Sequence, residues 1–257
     1  MVANLTYLRH DQNNLSGSAI TASSSNSSYP LSNLNSLPIS KPFRFTGATS
    51  ENLQIDLGSA KTISLVALVN HNLTSAATIT INAGASANPD GSTFTTTIPW
   101  KLYDAWKVLN PAQTYRYWKI IIADSSNPNA FIQLGYGLMG TAIVLSANFS
   151  NQWQFSEQYE NLEVQSEYGT PHVVKLFKRI QLDLPFQNIQ EADGAVLRAL
   201  ITALNRNVTP LFLIPDSSRT DAIFCRLESN LDRTIDVNYL QTTTLSFVEE
   251  GRGKLLN

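Results

Sequence analysis

Apolar and polar positions alternate along much of the first half of the chain. Leu53, Ile55 and Leu57 alternate with Gln54 and Asp56, the period-two spacing that sets one face of a strand against a core. Gly58-Ser59 then reads as a turn into residues 62–69. Their β-branched and nearly continuous apolar character disfavours a helix and predicts a central strand. Further short strands are predicted over 77–81, 93–98, 117–122, 131–134 and 142–145, punctuated by turn-forming loops such as 82–91. Many short strands with one apolar face each predict a β-sandwich, because only a second layer can cover such a face. The polar run from Asn13 to Ser28 reads as an irregular surface arm.

The second half mixes periods. Ile180, Leu182 and Leu184 alternate with Gln181 and Asp183, which predicts a long strand over 173–184, ended by Pro185. Over 191–206 the spacing turns helical. Val196, Leu197, Leu200, Ile201 and Leu204 recur at three and four, with Glu191 and Asp193 near the amino end and Arg206 near the carboxyl end, each complementing the helix dipole. Strands resume over 211–214, 222–227 and 234–248, with Asn230-Leu231-Asp232-Arg233 placed to link the last two. The fold class is therefore mainly β: an N-terminal sandwich and a C-terminal α+β unit with one helix packed on a sheet.

Charge supports two units. Residues 1–170 carry 8 basic and 10 acidic side chains, against 10 of each over the much shorter 171–257. The boundary falls between Ser146 and Glu167 and is set here at 1–148 and 149–257, with 147–153 as a packed linker anchored by Phe149 and Trp153. The net charge of −2 over 257 residues offers no uniform field for a phosphate backbone, which disfavours nucleic-acid binding, and no sequence-specific nucleic-acid partner is expected. The apolar runs 63–69 and 195–204 are too short or too interrupted to span a bilayer, and Met1-Val2-Ala3-Asn4 lacks signal-peptide blocks. A soluble, unprocessed chain is expected.

Candidate chemistry is sparse. No carboxylate pair sits at acid/base spacing, so no catalytic residue is assigned. Three histidines and one cysteine, without ligand spacing, give no metal site and no cofactor. A hard cation is an alternative at Asn88-Pro89-Asp90-Gly91, which an Asx-Gly turn explains more cheaply. Cys225, between strand hydrophobes, reads as a small core residue. A binding surface is better supported: Asn70, His71 and Asn72 follow an apolar strand, and Trp100 and Tyr103 are aromatics able to stack on a sugar or fill a partner's pocket. The predicted core comprises Leu53, Ile55, Leu57, Trp118, Ile120, Leu182, Leu197, Leu200, Ile201, Leu204, Phe212, Phe224 and Cys225.

Two stretches resemble known families. Asn52-Leu53-Gln54-Ile55-Asp56-Leu57-Gly58 with Thr62-Ile63-Ser64-Leu65-Val66-Ala67-Leu68, and later Tyr117-Trp118-Lys119-Ile120-Ile121-Ile122, resemble strands of discoidin-like, coagulation-factor-type domains. The strand through Leu184, the helix 191–206, Thr209-Pro210-Leu211-Phe212-Leu213-Ile214-Pro215-Asp216 and Phe224-Cys225-Arg226-Leu227 resemble tailed-bacteriophage distal-tail and tube-like baseplate proteins. The second resemblance implies a virion structural protein, made in the host cytoplasm. It would form a hexameric or three-fold related ring that joins tail tube to baseplate and contacts other tail proteins. The first implies, as the alternative, a carbohydrate-binding module for host-surface glycans. A glycan hydrolase is a remote third class. On the assembly reading, the N-terminal polar run and residues 234–248 are the interface candidates.

Overall fold

The computed structural model describes residues 5–146, 149–150, 153–165, 167–168, 171–205, 207–216, 222–228, 234–235 and 241–251. The fold is mainly β and divides into two compact units. One contains Thr6–Val144 with Phe212–Ile223, the other Leu145–Leu211 with Phe224–Glu250.

The first unit holds β1 (Thr6–Arg9), β2 (Ala19–Ala22), β3 (Phe43–Arg44), β4 (Glu51–His71), β5 (Thr78–Gly84), β6 (Phe94–Ile98), β7 (Ala105–Ala123), β8 (Gln133–Gly140) and β9 (Ile143–Val144). Two long strands make the sandwich. The early half of β4 lies between β2 and the late half of β7, while its later half lies between β8 and the early half of β7. The β4–β7 register shifts between Asp56 and Lys61 and again between Ile63 and Leu65. Such bulges bend a strand and let it pass from one layer to the other. Gly58, at φ +76, thus marks a bend within one continuous strand and not the predicted turn between two. The layers share one core that includes Leu53, Ile55, Leu57, Ile63, Val66, Trp118 and Ile120.

The polar N-terminal run is not an arm. Asn13 is buried, and its side-chain amide acts as a surrogate peptide: Oδ1 accepts from Met139 N at 3.0 Å and Nδ2 donates to Gly137 O at 2.8 Å. Leu15 enters the core, and β2 pairs with β4 from Ala19↔Asp56 to Ala22↔Leu53. Asn13, Ser18, Ser23, Ser24 and Asn26 each hydrogen-bond a backbone group through their side chains.

The second unit holds β10 (Gln154–Gln165), β11 (Pro171–Ile189), α1 (Glu191–Ala203), β13 (Ile223–Leu227), β14 (Thr234–Ile235) and β15 (Gln241–Glu249), with β12 (Leu211–Ile214) between α1 and β13. β10 pairs with β11 along its whole length, and β11 pairs with β15 from Gln181↔Val248 to Ile189↔Gln241. Leu182 and Leu184 are buried and face Phe247 and Leu245.

Pro185 does not end β11. Its carbonyl accepts from Ser150 N at 2.7 Å, and the N and O of one residue point to the same side of a strand. The missing N–H therefore lies away from β15, beyond the end of β10, where the ladder loses nothing.

The helix ends at Ala203, short of Arg206. Asn205 adopts φ 47, the left-handed conformation that commonly closes helices. Its buried stripe is Gly194, Leu197, Leu200 and Leu204. Ile201 is only half-buried, although its spacing sets it on the same side as Leu197 and Gly194, and Val196, off that stripe, is exposed. Phe212, Phe224 and Cys225 are buried as predicted for core positions. Burial raises the Cys225 thiol well above its ordinary value, with help from Glu249 and Glu250. The predicted 230–233 link, residues 147–148 and 151–152 of the linker, and Arg206 lie outside the described residues. Among the described residues, no helix is long and apolar enough to cross a membrane.

Candidate functional site

The five residues of the predicted binding surface come together at one end of the sandwich, at different depths. Asn70 and His71 end β4 and are buried. Asn70, at φ 55, receives a bond to its backbone: its N–H donates to Asp104 Oδ1 at 2.9 Å, while its Nδ2 donates to Ile39 O at 3.2 Å. His71 N donates to Tyr103 O at 3.0 Å. Leu73 N donates to His71 Nδ1 at 3.2 Å, so that ring nitrogen is an acceptor there. Both side chains therefore fasten neighbouring loops from a buried position.

Asn72 continues the same work. Its Oδ1 accepts from Gln133 N at 2.7 Å and its Nδ2 donates to Phe131 O at 3.0 Å, which fastens the segment to the start of β8. The neighbouring turn is centred on Asp124, which is also buried. Its carboxylate accepts from Thr74 N at 2.8 Å, Thr74 Oγ1 at 2.5 Å and Asn127 Nδ2 at 3.0 Å. Asn127 Nδ2 also donates to Asn72 O at 3.0 Å. Asp104, Asp124, Thr74 and Asn127 were not among the predicted residues. The turn sequence Asp124-Ser125-Ser126-Asn127 was a readable Asx signal, but nothing in local sequence joins it to Thr74.

Over this polar floor runs the segment 99–104. Trp100 is half-buried, and its Nε1 donates to Leu73 O at 2.9 Å. Lys101 Nζ lies 3.0 Å from the centroid of the Trp106 ring, a cation–π contact. Leu102 is 64% exposed, and Tyr103 holds φ 74, a conformation costly for a bulky residue and maintained only where surroundings impose it. The rim therefore presents Trp100, Leu102 and Tyr103 on a rigid base.

In the Asn88–Gly91 loop, Asp90 Oδ1 accepts from Ser92 N at 2.9 Å and Lys119 Nζ donates to Asn88 Oδ1 at 2.8 Å. Among the described residues, no three His, Cys, Asp or Glu side chains converge as metal ligands would.

A second candidate surface lies in the other unit. Among the described strands β15 pairs with β11 only from Gln181 onward, so residues 157–165 and 171–180 form a two-stranded ribbon. It carries Tyr159, Leu162, Val164 and Val173, each about half exposed, and Tyr168 at its tip at 94% exposure. By strand alternation, Leu162 and Val164 share one face, and Tyr159 with Val173, opposite Glu163, shares the other. Tyr159 Oη donates to Glu157 Oε2 at 2.5 Å, and Lys178 pairs with Glu157 across the ribbon. Nothing in the short-range pattern distinguished these exposed apolar residues from core strand positions.

No protein-family model matches the chain, and no curated protein matches it in sequence. Solved structures similar to it include a chitosan-binding module from a chitosanase/glucanase of Paenibacillus sp. IK-5, at 20% identity, covering 50% of this chain and 98% of that one with a TM-score of 0.41. Another is a family 32 carbohydrate-binding module from C. perfringens NanJ in complex with galactose, at 16% identity, covering 52% and 98% with a TM-score of 0.40. A third is a Streptococcus pneumoniae fucose-binding module, at 10% identity, covering 50% and 94% with a TM-score of 0.40. The sandwich assignment itself rests on the strand order and register described above.

Proposed function

We propose that the protein acts by assembly and not by turnover, as a structural subunit of a tailed-phage tail tip or baseplate whose copies associate through the second unit. The observation that carries this reading is the ribbon of β10 and β11. A two-stranded ribbon is at best marginally stable alone in water, and this one exposes Tyr159, Leu162, Val164, Tyr168 and Val173. Clustered exposed apolar side chains on a projecting strand pair are what an interaction element requires and what a free monomer avoids. The resemblance of the C-terminal segment to distal-tail and tube-like proteins supports a ring, hexameric or three-fold related, joining tail tube to baseplate and meeting other tail proteins. Electron microscopy of the purified chain tests this reading. Closed rings of uniform diameter are expected, and a field of single small particles at high concentration contradicts it.

The sandwich has a second, separate reading as a module for host-surface glycans. The specific observation in its favour is the rim of Trp100, Leu102 and Tyr103, with Tyr103 held in a strained backbone conformation above a floor fastened by the Asp124 and Asn72 hydrogen bonds. Rigid aromatic rims suit the apolar faces of sugar rings. Saturable binding to an immobilised glycan, abolished in Tyr103→Ala with unchanged thermal melting, is the expected result. Absence of binding across galactose-, fucose- and glucosamine-containing ligands contradicts it.

A further inference from the structure

We infer that Arg44 is a carboxylate-binding site and that the ligand of the sandwich is an acidic sugar of the uronic type. This rests on the glycan reading of the sandwich and names its ligand class.

The site is built outward from a short strand. In Phe43-Arg44-Phe45 both phenylalanines are fully buried, so strand alternation turns Arg44 to the opposite face. Its backbone is fastened on both sides. β3 pairs with β8 at Arg44↔Gln133, while Arg44 N donates to Tyr29 O at 3.1 Å and Arg44 O accepts from Asn26 N at 3.0 Å. These bonds set Tyr29 and Phe131 beside the side chain. The guanidinium carbon lies 3.8 Å from the centroid of the Tyr29 ring and 4.0 Å from that of Phe131. Nη2 donates to Oε1 of the buried Gln133 at 2.8 Å. The cation is thus held in one position before any ligand arrives, which lowers the ordering cost of binding.

What this cation lacks is an anion. Among the described residues no carboxylate forms an ion pair with Arg44. Nε is buried without a hydrogen-bond partner, and Nη1 makes no hydrogen bond and is open to solvent. A brace between residues 29 and 133 needs no net charge, and a half-buried charge without a counter-ion is costly. The ring faces offset part of that cost. They also keep water off the guanidinium, which strengthens the bond it can make to an oxyanion. A carboxylate is planar, so it can approach Nη1 edge-on in the plane of the guanidinium.

The neighbouring bonds favour a sugar as the carrier of that carboxylate. Asn72 Nδ2 donates to Phe131 O and Asn72 Oδ1 accepts from Gln133 N. The next residue, Leu73, accepts from Trp100 Nε1 through its carbonyl. Arg44 and the aromatic rim therefore stand on one hydrogen-bonded framework, which offers aromatic surface for a sugar ring and a cation for its acid group.

Calorimetric titration of the full chain tests this with a galacturonate oligosaccharide and its methyl ester, which keeps the sugar and removes the charge. Wild type should bind the acid about tenfold or more tighter than the ester. Arg44→Gln should bind the two forms alike. Arg44→Lys, which keeps the charge but loses the planar group between the rings, should retain only part of the preference. Melting curves matching wild type keep the comparison within folded protein. Equal affinity of wild type for acid and ester overturns the inference without recourse to a variant, as does a preference undiminished in Arg44→Lys. Poly-glutamate bound more tightly than the oligosaccharide overturns the sugar assignment and moves the carboxylate to a protein partner. If galactose-, fucose- or glucosamine-containing ligands bind while the acid gains nothing, this inference fails and the glycan reading stands; if no sugar binds at all, both fall.

Discussion

At the scale of single residues, the same side-chain type does different work according to its place on an element. Leu200 and Ile201 are neighbours in α1, yet Leu200 is 2% exposed and Ile201 is half-buried. Leu200→Ala should therefore lower stability by about 2–5 kcal/mol, the range for a buried leucine that leaves a cavity. Ile201→Ala should cost clearly less, and paired thermal melts compare the two. Asp56 carries a different kind of expectation. Arg116 grips its carboxylate with bonds of 2.7 and 2.8 Å, Gly58 N adds another at 2.8 Å, and its pKa is lowered to about 2. A depressed carboxyl contributes stability above its ordinary value, and that contribution is lost as pH falls toward about 2. NMR titration should show the Asp56 carboxyl rising toward about 3.9 in Arg116→Ala. Strand alternation revealed that Asp56 faces away from the core, but its partner lies 60 residues later and could not be read locally.

Elements were legible where one face is buried and obscure where the chain bends or pairs at a distance. The alternation of Leu53, Ile55 and Leu57 and the helical spacing of Leu197, Leu200 and Leu204 both follow from burial of one face, and both predicted the observed elements. Gly58-Ser59 and Pro185 are breakers by local rule, yet β4 and β11 run through them, because a bulge absorbs the first and a ladder-free side absorbs the second. The polar run 13–28 looked unpackable, since nothing local shows that Asn13 will bond to β8. At the candidate loops, Gly135 is the tightest joint. A Cβ there would lie 2.7 Å from Asn70 Cβ and 2.8 Å from Ile39 O, inside contact distance of backbone. Gly135→Ala should destabilise the sandwich by about 1–3 kcal/mol and loosen the 99–104 segment, read as faster amide exchange at Tyr103 and Asp104. Tyr136 on the same strand is fully buried, with its pKa pushed up to about 12 by burial. Ultraviolet titration should leave this phenol neutral through the range where exposed tyrosines ionise, near 10. Its contribution to stability persists at lower pH and is lost as pH rises through about 12.

At the scale of the whole molecule, the two units answer different physical problems. The sandwich closes its core with its own strands and turns its polar residues into loop fastenings. Among the described strands, the second unit leaves residues 157–165 and 171–180 paired only with each other, with Tyr159, Leu162, Val164 and Val173 exposed on them. On the proposed assembly reading, self-association through that pair would cover the exposed apolar surface, which is why assembly is the central claim. Native mass spectrometry of the full chain at micromolar concentration and moderate ionic strength tests it most directly. The account predicts a dominant species at an integral multiple of 28.3 kDa, six-fold or a three-fold related number for a closed ring. A spectrum holding only the 28.3 kDa chain at every concentration would contradict it.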